Sequence, residues 1–227
     1  GGQWERWTLE NEGQSRMHLD GWSYPQEHVR RNPVKDYELP DADEPVIGLL
    51  HTELNANDSP YAPTRTVDLK EARPEGWLLG HVHRSGLRSQ TPPILYPGSP
   101  QPLDPSETGV HGPWIVTVTP RGKIECTQQP LSTLQYETVK LDASEAETLE
   151  ELPRQLQTVL EDRLADRNRV NTLDLILVRL LLTGRTELFR SIEEERKSLR
   201  ESLALVTNGT PVRIEKIENH TRPAVDL

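Results

Sequence analysis

Two short segments, Gly48-Leu49-Leu50-His51-Thr52 and Gly80-His81-Val82-His83, place three histidines at the ends of apolar runs. Imidazole is a common ligand for zinc-like, manganese-like and iron-like divalent ions, and the chemistry such a cluster suggests is metal binding. The glycine that precedes His81 would let a ligand or an ion come close to the backbone.

The elements that must position these histidines are strands. Residues 45–50 and 76–79 are short apolar runs bounded by turn residues, so both read as buried strands. If they are parallel neighbours finishing at one edge of a sheet, they carry His51, His81 and His83 into one crevice, where open α/β sheets bind their ligands. Upstream, residues 4–9 and 16–19 flank Asn11-Glu12-Gly13 as a hairpin-like pair. A polar loop over 53–63 follows His51, and a loop of that length after a candidate ligand is more often functional than not. Residues 66–72 read as a short helix, 94–96 as a strand closed by Pro97-Gly98-Ser99, and 114–119 with 123–127 as a pair joined at Pro120-Arg121-Gly122.

Composition changes after about Pro130. Residues 136–141 read as a strand, 149–164 as a helix with Pro153 near its first turn, 173–182 as an aliphatic strand, 187–205 as a charged amphipathic helix and 212–217 as a last strand. That β-α-β-α-β order describes a small domain of its own, and the division falls into 1–130 and 131–227. The five tryptophans, Trp4, Trp7, Trp22, Trp77 and Trp114, read as core.

Bulk properties set bounds. The chain has 227 residues, a net charge of −10 and only 33% hydrophobic residues, so either the fold is unusually surface-rich or part of its core comes from sequence outside it. It opens on Gly1 without an initiator methionine, which reads as a processed product or a piece of a longer protein. A single cysteine, Cys126, makes no internal disulfide and favours a reducing compartment. No stretch is long and apolar enough to span a bilayer, and the expectation is a soluble, cytoplasmic protein with no membrane association.

The order of the motifs supports a family. Gly-Leu-Leu-His-Thr at 48–52, Tyr61-Ala62-Pro63 with Asp68-Leu69, Trp77-Leu78-Leu79-Gly80-His81-Val82-His83, and Tyr96-Pro97-Gly98-Ser99-Pro100-Gln101 through Glu107-Thr108-Gly109 occur in sequence. This resembles the second half of a calcineurin-like metallophosphoesterase of the SbcD-like DNA repair exonuclease type, nearest to the bacterial YhaO-like branch. Residues 131–227 resemble the capping domain that follows in such proteins. The resemblance implies an α/β (α+β) chain: the second half of a β-sandwich flanked by helices over 1–130, then the cap. It implies two divalent metal ions, usually manganese, with His51 and His81 on one and His83 on the other, and in-line hydrolysis of a DNA phosphodiester. It further implies DNA as substrate, an SbcC-like, SMC-related ATPase as partner, and a homodimer as a possible assembly.

One departure matters most. The family's earlier motifs, Asp-x-His, Gly-Asp-x-x-Asp and Gly-Asn-His-Asp or -Glu, do not occur in these 227 residues. Three imidazoles without a carboxylate make half a site for two hard dications, so this chain alone is expected to be inactive and the longer protein to be the enzyme. The competing expectation is a noncatalytic scaffold whose degenerate phosphoesterase fold binds the ATPase.

Charge helps the nuclease reading little. Residues 131–227 hold 14 Lys and Arg against 18 Asp and Glu, and residues 1–130 hold 12 against 18. With no broad basic face, DNA contact would rest on a local cluster, Arg163, Arg167 and Arg169, and on Tyr61 if it stacks on a base or sugar; Tyr61 reads equally well as a hydrophobic peg that holds its loop down. Ser99 reads as a turn residue more readily than as one that faces the phosphate, and His111 as an exposed loop residue or one near the site.

Overall fold

The computed structural model describes residues 1–11, 15–165, 173–203, 205–207 and 209–224. It is a mixed α/β chain in two compact units, Gly1–Pro100 with Gly112–Gln129, and Gln101–His111 with Pro130–Leu227. Residues 101–111 thus pack with the second unit.

The first unit is built on a six-stranded sheet of β1 (Trp4–Asn11), β2 (Ser15–Trp22), β3 (Val46–His51), β4 (Gly76–Gly80), β5 (Gly86–Gln90) and β6 (Pro93–Tyr96), in the order β1-β2-β3-β4-β6-β5. β2, β3, β4 and β6 run parallel, while β1 and β5 close the two edges antiparallel. The apolar runs at 45–50 and 76–79 therefore do form neighbouring parallel strands, with Ile47 opposite Gly76 and His51 opposite Gly80. Their near-continuous burial follows from lying in the sheet interior. The connection between them carries α1 (Thr66–Glu71), whose Leu69 is buried and whose Leu69 carbonyl accepts the Trp77 indole N–H at 2.9 Å. Trp22, Leu50, Trp77, Leu79, Ile94 and Tyr96 form the core on this side. A separate antiparallel pair, β7 (Trp114–Val118) and β8 (Ile124–Gln128), turns at Gly122, where φ is +77°.

The opposite face of the same sheet is covered at β4, where Ile124 of β8 lies against Gly76, and buries Ile47 and Leu95, but it is open along β1. Trp7 lies across Gly21 and is 50% exposed, and Leu9 is 48% exposed. Trp7 is accordingly not a core residue. Strand alternation sends Trp4 to the buried face, where its ring meets Trp77 edge-on, and Trp7 to the other.

The second unit carries β9 (Leu134–Asp142), α2 (Leu152–Ala165), β10 (Leu175–Thr183), β11 (Arg185–Thr186), α3 (Phe189–Glu194), α4 (Arg196–Ser202), β12 (Leu205–Thr207), β13 (Thr210–Asn219) and β14 (Arg222–Pro223). Its sheet has the order β12-β13-β10-β9, with β9, β10 and β13 parallel and β12 antiparallel; β11 and β14 form a short parallel pair. The aliphatic run of β10 buries every second residue: Ile176, Val178, Leu180 and Leu182 enter one cluster with Leu156 and Leu160 of α2, Ile192 of α3 and Leu199 of α4. Arg179 sits on the other face and pairs with Glu215 at 3.3 Å.

Two sequence expectations change here. The single helix over 187–205 is two helices that meet at Glu195, and nothing in the local residues marks the break. His111 is not an exposed loop residue: it is 2% exposed, and a ring nitrogen lies 3.0 Å from the Glu107 carbonyl. The segment that holds it is anchored to β9 by the Gly109 N–H on the Tyr136 carbonyl at 3.0 Å. Among the described residues, no helix is long and apolar enough to cross a membrane.

Candidate metal centre

Because β3 and β4 are parallel and in register, both finish at the same edge. His51 is the last residue of β3, and His81 follows directly on β4. The His51 ring lies over Gly80, where a Cβ would meet Nδ1 at 2.7 Å, so the strand approaches the imidazole closely only because position 80 has no side chain. His81 itself has φ of +101°, unusual for a residue with a Cβ. Such strain costs about 1–3 kcal/mol and persists only where the surroundings hold it. The two imidazoles stand 5.3 Å apart between centroids at 74°.

His83 is exposed, but its backbone is fixed. Its carbonyl accepts the Ser99 N–H at 2.9 Å and the Ser99 hydroxyl at 3.4 Å. Gly98, at φ +73°, makes that turn possible, since a Cβ there would collide with the His83 carbonyl. Ser99 thus has the turn role the sequence suggested.

Two tyrosines back the histidine pair. Tyr24 meets the His51 ring edge-on at 5.7 Å and 81°, and Tyr61 lies against the His81 ring at 4.7 Å and 34°, with His28 at 5.9 Å from Tyr61. The loop that brings Tyr61 here is closed on itself. The Glu53 N–H reaches the Tyr61 carbonyl at 2.9 Å, the Ala62 N–H reaches the Val29 carbonyl at 2.7 Å, and the buried Thr52 hydroxyl reaches the Ala62 carbonyl at 2.6 Å. Tyr96 of β6 secures the exit of β3, donating to the Thr52 carbonyl at 2.7 Å and accepting from the Leu54 N–H at 3.1 Å.

The electrostatics favour neutral imidazole. Partial withdrawal from water lowers the His51 pKa below the ordinary histidine value, and the nearby His81 and His83 lower it further. Burial pushes the Tyr24 hydroxyl up to about 12, and that hydroxyl finds no hydrogen-bond partner among the described residues. Neutral imidazole is the form that ligates metal, and two neighbouring imidazoles can supply part of the shell of a borderline divalent ion. Among the described residues, however, no group of three or more His, Cys, Asp or Glu side chains is arranged to hold a metal ion. The donor set fits one side of a metal centre and lacks its carboxylates.

Of the residues singled out in the sequence, His51, His81 and Tyr61 come together, and His83 lies near enough to weigh on the His51 charge. Arg163 belongs to the second unit, where its guanidinium donates to the Thr138 carbonyl at 2.7 Å; Arg167 and Arg169 lie outside the described residues. Sequence reasoning missed Tyr24 and Tyr96. Tyr96 closes an apolar strand, as the histidines do, and that shared position was the available signal.

Residues 136–222 match the family model described as metallophosphoesterase YhaO, middle domain. The chain is also similar to an uncharacterized metallophosphoesterase, YhaO, of Bacillus subtilis (strain 168), with 32% identity over 142 residues. That match takes in 61% of this chain and 34% of the relative, so the chain spans about a third of the relative's length. Both likenesses support a metallophosphoesterase family for this chain.

Proposed function

We propose that the chain is part of a metal-dependent phosphodiesterase that hydrolyses DNA phosphodiester bonds, acting in DNA repair. The observation that carries this reading is the delivery of His51 and His81, ring to ring at 5.3 Å, from adjacent parallel strands. The metallophosphoesterase likeness supports it.

In this reading His51 and His81 hold one divalent ion and His83 a second, with manganese the favoured metal. When bound, such a pair supplies Lewis acidity to the transferring phosphoryl group. The protein's own groups do the rest. Gly80 leaves room for the His51 ring, whose lowered pKa favours the neutral form, and the Ser99 turn holds the backbone at His83. The carboxylates that complete the centre come from sequence outside these 227 residues. Residues 131–227 act as a cap without chemistry of their own, with Arg163, Arg167 and Arg169 meeting DNA phosphates, and an SbcC-like ATPase is the partner.

The test is hydrolysis of linear DNA and of bis-p-nitrophenyl phosphate with Mn²⁺. The 227-residue chain should be inactive, the protein extended by a segment carrying the Asp and Asn motifs active, and the extended His81→Ala protein inactive. Turnover by the short chain that His81→Ala abolishes would overturn the half-site reading. An extended protein that binds the ATPase yet hydrolyses neither substrate would favour the scaffold.

A further inference from the structure

We propose that Tyr61 is a positioning residue that holds the His81 imidazole in the orientation needed for ligation; this rests on the metal reading above. Three observations converge. His81 occupies a backbone conformation that a non-glycine residue does not adopt unaided, with φ of +101°. Tyr61 lies against its ring at 4.7 Å with a tilt of only 34°. The loop bearing Tyr61 is pinned at both flanks, by Glu53 on the Tyr61 carbonyl, by Ser59, whose hydroxyl accepts the Tyr61 N–H at 3.0 Å, and by Ala62, which sits at φ +48° and is fully buried.

A strained backbone fixes where His81 begins but leaves its ring free to turn about the side-chain bonds. A flat ring laid on one face of the imidazole removes that freedom at small entropic cost, because tyrosine has only two torsions of its own. The closures at Glu53, Ser59 and Ala62 fix the start of the tyrosine side chain, so the order is transmitted from the loop to the ring and from the ring to His81. The same geometry argues against Tyr61 as a stacking platform for a nucleobase, since the ring already has His81 against it and His28 at 5.9 Å. The role is that of an outer partner which orients a ligand without touching the ion.

The experiment compares the wild-type chain with Tyr61→Phe and Tyr61→Ala. Tyr61 is 38% exposed, so both variants should fold, as near-ultraviolet circular dichroism would confirm. In the metal-free, ¹⁵N-labelled protein, the His81 ring protons should carry a ring-current shift that Tyr61→Phe keeps and Tyr61→Ala loses. Mn²⁺ affinity, read by electron paramagnetic resonance in the protein extended by the segment that carries the carboxylates, should fall about tenfold in Tyr61→Ala and stay within about twofold in Tyr61→Phe. Wild-type affinity in Tyr61→Ala, or His81 resonances unmoved by the substitution, overturns the assignment. So does a loss in Tyr61→Phe equal to that in Tyr61→Ala. If the extended wild-type protein takes up no Mn²⁺, the metal reading fails, and the ring shifts alone decide whether Tyr61 orders His81.

Discussion

The His51 ring occupies the space that a side chain at position 80 would need, its Nδ1 lying 2.7 Å from where the Cβ would stand. The two residues are register partners on β3 and β4, so the close approach is built into the sheet. A methyl at position 80 meets the far end of a rotatable side chain, not backbone. Gly80→Ala should therefore leave global stability within about 1 kcal/mol while swinging the imidazole away. Mn²⁺ affinity is expected to drop at least about tenfold with an unchanged thermal midpoint. A midpoint that falls with affinity intact would place the strain in the sheet instead.

The part of the first sheet left open along β1 should make the chain associate. Trp7 and Leu9 are about half exposed, and they border clefts of about 350 Å³ and 560 Å³; the smaller runs past Leu49 and Leu78 to His51. Paired Trp7→Glu and Leu9→Glu substitutions should reduce binding of an apolar-surface dye and shift sedimentation toward the monomer. Dye binding and sedimentation identical to wild type would show that this face is not the sticky one.

Acid should loosen the α1 region before the rest of the first unit. Hydrogen bonds from the Arg65 guanidinium hold the Asp68 pKa below the ordinary carboxylate value, and Asn32 adds a bond at 2.7 Å. A depressed carboxylate contributes stability that is fully present above its unfolded pKa, roughly 3.9, and is lost as pH falls through the folded value. The melting temperature should decline below about pH 4, and Asp68→Asn should flatten that decline while lowering the plateau at neutral pH. A pH profile that Asp68→Asn leaves untouched would remove Asp68 from the account.

Each unit closes a core of its own, and the two should be separable by spectroscopy. All five tryptophans lie in the first unit, so indole fluorescence reports on it alone. Leu180→Ala, at a fully buried position of β10, should cost about 2–5 kcal/mol and lower the far-ultraviolet circular-dichroism midpoint. The fluorescence midpoint should hold. If both fall together, the chain unfolds as one cooperative body.

Much of the arrangement around His51 was legible because its information is local. Apolar runs bounded by turn residues identify interior parallel strands, and a histidine after each run then has to emerge at the sheet edge. The β1–β2 hairpin was legible for the same kind of reason, although Glu12 and Gly13 of its turn lie outside the described residues. What escaped were relationships decided by packing over distance. β5 is polar and pairs only through its edge position, and β12 is a three-residue strand with no periodicity to read. Trp7 was misjudged because composition says that tryptophan is apolar, while only the sheet register says which face it takes. The sequence leaves Tyr61 open between stacking on a base and pegging its loop, because its contact with the His81 ring is set by packing over distance.

The packing of Gln101–His111 with the second unit has a consequence for how the chain is made. The polypeptide leaves the first unit at Pro100, returns at Gly112 and leaves again after Gln129, so each unit is assembled from two separate stretches. On the ribosome, Gln101–His111 emerges before the strand it anchors to, since its partner Tyr136 is synthesised later. β7 and β8 can meanwhile join the first unit with that segment left as a loop. A protein cut at residue 130 would strand eleven residues of the second unit on the wrong fragment, among them the buried His111. The two units are thus interlaced in the gene even though each has its own core, and neither can be lifted out as a contiguous exon-like block.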